Sequence, residues 1–288
     1  MKKRDYFEGW YFKQTNGQIT VSFIPSYHID SAGNLLASLQ IITDEKSYSF
    51  IYLAKEFCLD KKNLKIKIGN NEFSKKGLFV NINQNDLKIE GKLHFYDLTP
   101  PIYDIMGPFL YFPLQCKHGV ISIRHRVEGE LFINGKKYLF NDGIGYIETD
   151  RGKSFPKKYL WTQCNSLDGK NIDIMLSVAT VKTFLGSFNG VICSVYYLNK
   201  EIRIATYKGA KILEFNEKGA KIKQGKLMLT VSVKQTQGHN LNAPINGVMK
   251  RIVVESPSCI VEYSLFDKNK EVFSLICNRA SFEYADGE

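Results

Sequence analysis

The sequence lacks the short motifs that define several large classes of protein. Its 288 residues contain no G-x-G-x-x-G, no phosphate-binding G-x-x-x-x-G-K-[ST] and no G-x-S-x-G nucleophile elbow. Dinucleotide-binding enzymes, P-loop nucleotidases and α/β hydrolases are therefore without support. The six cysteines stand singly, with no C-x-x-C pair. This spacing favours reduced, buried thiols over a disulfide framework.

Long hydrophobic runs are also missing. The opening segment MKKRDYFEGWYFK reaches an acid and a glycine before any apolar stretch of signal-peptide length, and no later run is long enough for a transmembrane helix. We therefore expect a cytoplasmic protein. The formal net charge of +10 would permit peripheral contact with an anionic membrane. No nucleic-acid-binding motif accompanies that charge, so we expect no nucleic-acid partner.

The sequence is rich in period-two alternation of apolar and polar residues, and no long helical pattern interrupts it. The segment GELFINGKKYLF places Asn134 and Gly135 between two alternating runs, which is the strongest short signal of a β-hairpin. Antiparallel sheets of this size avoid open edges by closing into barrels or by stacking as sandwiches. We therefore predict an all-β protein.

The two halves of the chain resemble each other weakly. The only two tryptophans, Trp10 and Trp161, lie near the start of the two halves, 151 residues apart. Between them, the segment from Asp150 to Pro156 breaks the alternation with a glycine and a proline. We predict two tandem lipocalin-like antiparallel barrels or sandwiches, with domains over residues 1–150 and 151–288.

Two segments closely resemble the tocopherol cyclase family. They are FEGWYFK at residues 7–13 and GYIETDRGKSFPKKYLWTQCN at residues 145–165. The resemblance implies a two-domain lipocalin-like protein and, as in the plant members, closure of a prenylated quinol to a chromanol. One position departs from the family pattern, because Arg151 stands where a tryptophan is expected.

Such a ring closure places three demands on a protein. A carboxylic acid must stay protonated near neutral pH, which burial beside apolar groups achieves. Aromatic faces must surround the developing cation. Water must be kept out, since it would capture the cation as an alcohol. A cavity inside a barrel would meet the last demand, and residues two apart on an extended strand would line it from one face.

The candidates are residues two apart on one face of a strand. Each such set has aromatic residues at one end and polar residues at the other. We predict Glu148 and Glu8 as the catalytic acids. The predicted substrate-binding residues are Trp10, Phe12, His125, Tyr146, Asp150, Tyr159, Trp161, Gln163 and Asn165. We expect no cofactor and no metal, because Cys116, His118 and His125 lack a fourth ligand at a recognisable spacing.

Each candidate also has a structural interpretation. Glu8 could form a buried or rim ion pair, the tryptophans could close the ends of the barrels, and His125 could be a buried histidine with a satisfied hydrogen bond. The protein could cyclise a prenylated quinol or a related hydrophobic molecule, could hydrate it, or could bind it without converting it. Arg151 motivates this last alternative, because it removes an aromatic face.

Overall fold

The computed structural model describes residues 4–84, 86–167, 169, 171–183 and 186–287, which form two antiparallel sheets. The strands of the first sheet are β1 (Tyr6–Thr15), β2 (Thr20–Ile29), β3 (Leu35–Thr43), β4 (Ser47–Leu53), β5 (Phe57–Asp60), β6 (Lys65–Ile68), β7 (Asn71–Ser74), β8 (Gly77–Gln84), β9 (Leu87–Thr99), β10 (Cys116–Ile133) and β11 (Lys136–Gly152). Their spatial order is β4-β3-β2-β1-β11-β10-β9-β8-β7-β6-β5.

The second sheet follows along the chain. Its strands are β12 (Lys158–Asn165), β13 (Ile172–Thr183), β14 (Gly186–Tyr197), β15 (Lys200–Ala205), β16 (Lys211–Asn216), β17 (Gly219–Gln224), β18 (Leu227–Gln235), β19 (His239–Ile245), β20 (Val248–Asp267) and β21 (Lys270–Asp286). Their order is β15-β14-β13-β12-β21-β20-β18-β17-β16, and β19 pairs with β20. The all-β prediction, with two lipocalin-like antiparallel sheets in tandem, is confirmed.

Within the described residues, helical structure is confined to three short 3-10 turns, which are Ala54–Glu56, Gly107–Tyr111 and Thr206–Lys208. None of the helices in this part of the chain is long and apolar enough to span a membrane. The sheets cover residues 6–152 and 158–286. The division into independent domains at residue 150 stays a prediction.

The predicted hairpin at Asn134 and Gly135 is confirmed, and it shows how local chemistry sets the pairing of β10 with β11. Both residues have positive φ, at 49° and 83°, as a type I′ turn requires. The turn pairs Ile133 with Lys136. From there the two strands run antiparallel for more than a dozen residues, and their far ends lie at the interface between the sheets.

Each sheet encloses a hydrophobic core of its own. In the first sheet, Phe12 packs against Phe73, with ring centroids 5.5 Å apart, and Phe23 packs against the same ring. In the second sheet, fully buried Tyr263 and the aliphatic residues of β12 to β14 belong to one cluster. The inward-facing side chains alternate along the strands, as the period-two sequence pattern predicts.

Strands β1 and β12 occupy equivalent places in the two sheets. Each is the first strand of its sheet along the chain, and it pairs with the strand that comes last along the chain, β11 or β21. Both strands are buried on both faces. Trp10 and Phe12 of β1 face the first core, whereas Tyr11 faces the second sheet. On β12, Leu160 faces the second core and Trp161 faces the first sheet. The interface between the sheets is therefore a third hydrophobic layer, formed by the outer faces of these strands.

Hydrogen bonds between the sheets fix their positions. The Gln40 side chain of β3 bonds the backbone of Asn242 of β19 twice, at 2.9 Å and 2.7 Å. Arg279 of β21 donates to the carbonyl oxygens of Gly17 and Gln18 and to the carboxylate of Asp44. These contacts hold β19 to β21 against the first sheet and leave a cavity between them.

The connection between β9 and β10 covers one side of this cavity, and it is held by the buried ion pair of Arg203 and Glu201. The side chains of Arg203 and Glu201 are only 3% and 1% exposed. Arg203 also donates to the carbonyl oxygens of Tyr103 and Asp104, at 3.0 Å and 3.1 Å. Met106, in the same connection, lines the cavity.

We expect Arg203→Leu to lower the free energy of unfolding by about 3–5 kcal/mol, because it leaves Glu201 buried without its partner. Lys158→Leu is the matched control. It breaks the exposed ion pair with Asp286 and should cost under about 1 kcal/mol. Urea unfolding of both variants measures the difference. Equal losses in the two variants would contradict this role for Arg203.

Candidate active site

A cavity lies between the two sheets, and we call it the inter-sheet pocket. Its volume is about 190 Å³. Its apolar lining includes Phe7, Trp10, Tyr11, Ile24, Met106, Phe109, Leu114, Phe155, Tyr159, Trp161, Ala179, Phe188, Ile192, Leu241, Met249 and Val253. The sequence predicts a cavity inside a barrel. The structure corrects this, because the pocket lies between the two sheets and most of its lining side chains belong to the layer between the two cores.

Aromatic rings form much of the wall. Tyr11 packs edge-to-face on Trp161, with ring centroids 5.4 Å apart. Phe155 contacts both Phe7, at 5.4 Å, and Tyr159, at 5.9 Å. Electron-rich faces of this kind stabilise a positive charge placed over them.

The first sheet places a group of three ionisable residues in the pocket wall. His118 of β10 pairs across the strands with Asp150 of β11, and two positions along, Val120 pairs with Glu148. His118 Nδ1 lies 3.0 Å from Asp150 Oδ1, and Nε2 lies 3.3 Å from Glu148 Oε2. The imidazole ring therefore bridges two carboxylates.

The charge state of His118 follows from this geometry. Burial lowers the pKa of His118, but the negative charges of Asp150 and Glu148 outweigh burial and raise the pKa well above its usual value. The two carboxyl groups therefore favour the protonated form of His118. The donor and acceptor atoms of the three side chains lie within 4.8 Å of one another. Nδ1 hydrogen-bonds Asp150, and Nε2 lies at ion-pair distance from Glu148 without hydrogen-bond geometry. A protonated imidazole at this position needs no metal ion beside the carboxyl groups.

Two further side chains donate hydrogen bonds to Oε2 of Glu148. The hydroxyl group of Tyr146, which is fully buried, donates to Oε2. The indole Nε1 of Trp161 donates to the same atom at 3.1 Å. Trp161 belongs to the second sheet, so this bond crosses the interface between the sheets.

The second sheet supplies a different pair of acids. Glu255 of β20 and Glu283 of β21 are directly opposite each other in the strand pairing, and both line the pocket. Glu255 accepts a hydrogen bond from Tyr11, and Glu283 accepts one from Tyr159. Side chains directly opposite on adjacent strands are close neighbours, so two negative charges here would repel each other.

The pKa values of the two acids are raised as a consequence. Burial, followed by the charge of Glu283, raises the pKa of Glu255 from 4.5 to about 8. Burial raises the pKa of Glu283 from 4.5 to about 7, and the nearby charges of Asp150 and Glu148 add to this effect. The pair therefore retains protons near neutral pH. A protonated carboxyl group in an aromatic, apolar pocket is equipped to donate a proton to a weakly basic substrate.

The structure brings some of the predicted site residues together in this pocket. Five of the predicted residues line it, and these are Trp10, Glu148, Asp150, Tyr159 and Trp161. Tyr146 touches the site through its bond to Glu148. The roles of these residues stay predictions.

The other predicted residues lie elsewhere. Phe12 is in the first core. His125 is buried with its ring 4.5 Å from that of Phe95, and burial lowers its pKa to about 3. Gln163 and Asn165 belong to a separate buried network, in which Lys13 Nζ donates to Gln163 Oε1 at 3.0 Å.

Glu8 faces a second cavity and does not line the inter-sheet pocket. The second cavity is lined by Glu8, Lys61, Lys117 and Arg151, among others. Burial raises the pKa of Glu8, but bonds from Lys61, Tyr27 and Tyr6 outweigh burial and lower it. Glu8 is therefore a carboxylate in an ion pair with Lys61, and this geometry favours its structural interpretation over a role as proton donor.

The sequence patterns do not single out His118, Glu255 or Glu283 as site residues. A signal for the two acids was present in the strands IVVESPS and ASFEYA, where a lone glutamate stands among apolar or aromatic residues. The same pattern in FEGWYFK had directed the prediction to Glu8. A lone acid in an apolar strand indicates burial, but it does not indicate which face of the strand borders a cavity.

The fold and the pocket together define a class of two-sheet, lipocalin-like proteins with an acid-lined cavity between the sheets. The chain belongs to the tocopherol cyclase-like family, whose sequence model matches residues 111–286. No match was found among curated protein sequences.

Solved structures with 10% sequence identity share the fold. CghA aligns with a TM-score of 0.61 over 98% of this chain and 89% of its own. A putative AttH protein from Nitrosomonas europaea aligns with a TM-score of 0.57, over 98% and 93% of the two chains. Kievitone hydratase from Nectria haematococca aligns with a TM-score of 0.56, over 97% and 88%.

The raised pKa values of Glu255 and Glu283 predict a pH-dependent stability. Both groups bind protons more tightly in the folded state, so their contribution is fully present below about pH 4.5 and is lost as the pH rises through about 7 to 8. We expect the free energy of unfolding to fall over this range by a few kcal/mol, on the order expected for shifts of this size.

Urea unfolding between pH 5 and pH 9 measures this loss. The double variant Glu255→Gln and Glu283→Gln should flatten the pH dependence. Glu262→Gln, at a partly exposed position on β20, should leave the slope as in the wild type. An unchanged slope in the double variant would show that other groups cause the loss.

Proposed function

We propose that the protein catalyses an acid-initiated addition to a carbon–carbon double bond in a hydrophobic substrate, with ring closure of a prenylated quinol as the leading reaction. The observation that carries this proposal is the pair Glu255 and Glu283, two carboxyl groups with pKa values raised to about 8 and 7 in an aromatic pocket. Membership of the tocopherol cyclase-like family supports the choice of reaction class.

Glu255 is the proposed proton donor. Protonation of a trisubstituted alkene needs an acid that holds its proton at the working pH. The acid must also be shielded from water, because water would accept the proton in place of the alkene. Glu255 is 2% exposed and accepts a hydrogen bond from the Tyr11 hydroxyl group, and the ring of Tyr11 packs on that of Trp161 in the pocket wall. These rings would face the tertiary cation formed in the first step.

The second step is capture of the cation by a nucleophile. In a cyclase this is a hydroxyl group of the substrate itself, and the product has the mass of the substrate. In a hydratase it is water, and the product gains the mass of one water molecule. The shared fold with a protein named kievitone hydratase makes hydration the second candidate, whereas the largely apolar lining favours internal capture.

Binding without conversion was the alternative motivated by Arg151. Arg151 lines the second cavity, and its replacement of a tryptophan therefore removes no ring from the inter-sheet pocket. The rings of Tyr11, Tyr159 and Trp161 remain there. This position gives no reason to expect an inactive carrier.

Glu255→Gln tests the proton donor. We expect the rate of chromanol formation from prenylated hydroquinones to fall about 100-fold or more, the usual contribution of a general acid. Product formation is followed by chromatography with mass detection, which also separates a cyclised product from a hydrated one. Glu262→Gln, outside the pocket, is the control. Equal activity of Glu255→Gln and wild type would exclude Glu255 as the acid.

Glu283→Gln gives a second, distinct test. Because the charge of Glu283 helps to raise the pKa of Glu255, its removal should lower that pKa. The alkaline limb of the pH–rate profile should therefore move to lower pH, since Glu255 must be protonated to act. A limb that stays in place would contradict coupling between the two acids.

We also propose that the protein takes its hydrophobic substrate from an anionic membrane surface. The connection between β9 and β10 exposes Ile102, Tyr111 and Phe112, and Tyr111 is 87% exposed. The same connection supplies Met106 and Phe109 to the pocket wall. Exposed apolar side chains together with a net charge of +10 suit contact with anionic lipid.

Cosedimentation with vesicles of anionic phospholipid measures this contact. The double variant Tyr111→Ser and Phe112→Ser should bind less than the wild type, because it removes the apolar contact area. Ile51→Ser, at another exposed apolar position, is the control and should bind as the wild type does. Equal binding of all three proteins would show that the connection between β9 and β10 does not contact the membrane.

A further inference from the structure

The contacts of Glu148 are unequally shared between its two carboxylate oxygens. Tyr146, Trp161 and His118 all approach Oε2. Among the described residues, no hydrogen bond or ion pair reaches Oε1. Glu148 lines the inter-sheet pocket, so Oε1 is the atom left for a ligand. A carboxylate oxygen can only accept a hydrogen bond, and a ligand at this point must therefore donate one.

The first sheet also fixes the position of this acceptor. Asp150 holds Nδ1 of His118 at 3.0 Å, which orients the ring so that Nε2 faces Oε2 of Glu148. The indole of Trp161 restrains the same oxygen from the second sheet. Two hydrogen bonds and one ion-pair contact therefore restrain the carboxyl group of Glu148.

The two kinds of acid lie on different walls of one pocket. Glu255 and Glu283 belong to the second sheet, whereas Glu148, His118 and Asp150 belong to the first. An addition across a double bond needs a proton donor at carbon and a proton acceptor at the nucleophile. The pocket offers one of each.

We propose that Glu148 is the general base of the reaction, accepting at Oε1 the proton of the substrate hydroxyl group that attacks the cation, and that His118 and Asp150 are positioning residues for it. This assignment rests on the proposed function. It reverses the role that the sequence suggested for Glu148, which was that of the proton donor.

The proton and bond changes balance over one cycle. Glu255 gives its proton to the alkene, which forms a C–H bond and a tertiary cation. The hydroxyl oxygen bonds to the cationic carbon while its O–H bond breaks, and the proton passes to Glu148. Glu255 is then a carboxylate and Glu148 an acid. Return of one proton from Glu148 to Glu255 restores the enzyme, so the product is an isomer of the substrate.

A binding measurement tests the placement of Oε1 without turnover. The probes are a short-chain prenylated hydroquinone and its methyl ether at the attacking hydroxyl group, each titrated against tryptophan fluorescence. The wild type should bind the hydroquinone about tenfold more tightly, the usual effect of a hydrogen bond to a charged group. Glu148→Gln should bind the two probes about equally. Equal binding in the wild type would overturn the proposal even if the enzyme is active.

A product measurement in D₂O tests the role as base. Without the base, the cation formed in Glu148→Gln should lose a carbon-bound proton to the Glu255 carboxylate, giving an open-chain alkene isomer that contains deuterium. We expect the ratio of chromanol to this isomer to fall about 100-fold. His118→Gln should lower the ratio less, because it acts through Glu148. His239→Gln, at a histidine outside the pocket, should leave the ratio unchanged.

Other outcomes separate this proposal from the proposed function. A parallel loss of both products in Glu148→Gln would overturn the role as base, and so would activity that a chelator removes, because a metal at His118 would then be required. Absence of both products in the wild type, with a working control cyclase, would exclude the cyclase function. In that case the binding comparison alone would decide whether Oε1 accepts from a ligand hydroxyl group.

Discussion

Burial of both faces of β1 and β12 is the constraint on which the rest of the structure depends. A strand in a barrel that stands alone has one face in a core and one in water. In this protein the outer faces of the two equivalent strands pack against the opposite sheet, so Tyr11 and Trp161 are buried as fully as the core residues. The interface between the sheets therefore has an interior of its own, and the pocket belongs to it.

Carboxyl groups placed in such an interior respond to their neighbours. Glu148 lies beside the ring of His118 and accepts hydrogen bonds from Tyr146 and Trp161. Among the described residues no cation hydrogen-bonds Glu255, and burial, followed by the charge of Glu283 directly across the strands, raises its pKa to about 8. The two walls therefore give a buried glutamate different surroundings, with a histidine and two hydrogen-bond donors on one wall and a second carboxyl group on the other. This difference underlies both the proposed acid and the proposed base.

Several features of the fold followed from the sequence directly. Alternation predicted strands on both sides of Asn134-Gly135, and the turn between them has the positive φ values that a type I′ turn requires. The two tryptophans indicated a repeat, and the strands that carry them do occupy equivalent positions in the two sheets. The faces differ, however. Trp10 points into the first core, whereas Trp161 points into the interface between the sheets. A shift of one residue reverses the face of a strand, and a weak repeat does not fix that shift.

The sequence by itself determined the fold class, the family and the presence of buried acids in apolar strands, because alternation, turn chemistry and motif residues are local properties. Only the tertiary structure decided which acids share a cavity. Glu8 and Glu255 both stand in apolar strands, yet Glu8 meets Lys61 in the second cavity and Glu255 meets Tyr11 in the inter-sheet pocket. Their partners lie 53 and 244 residues away along the chain. The packing of two sheets brings such residues together, and no local pattern records it.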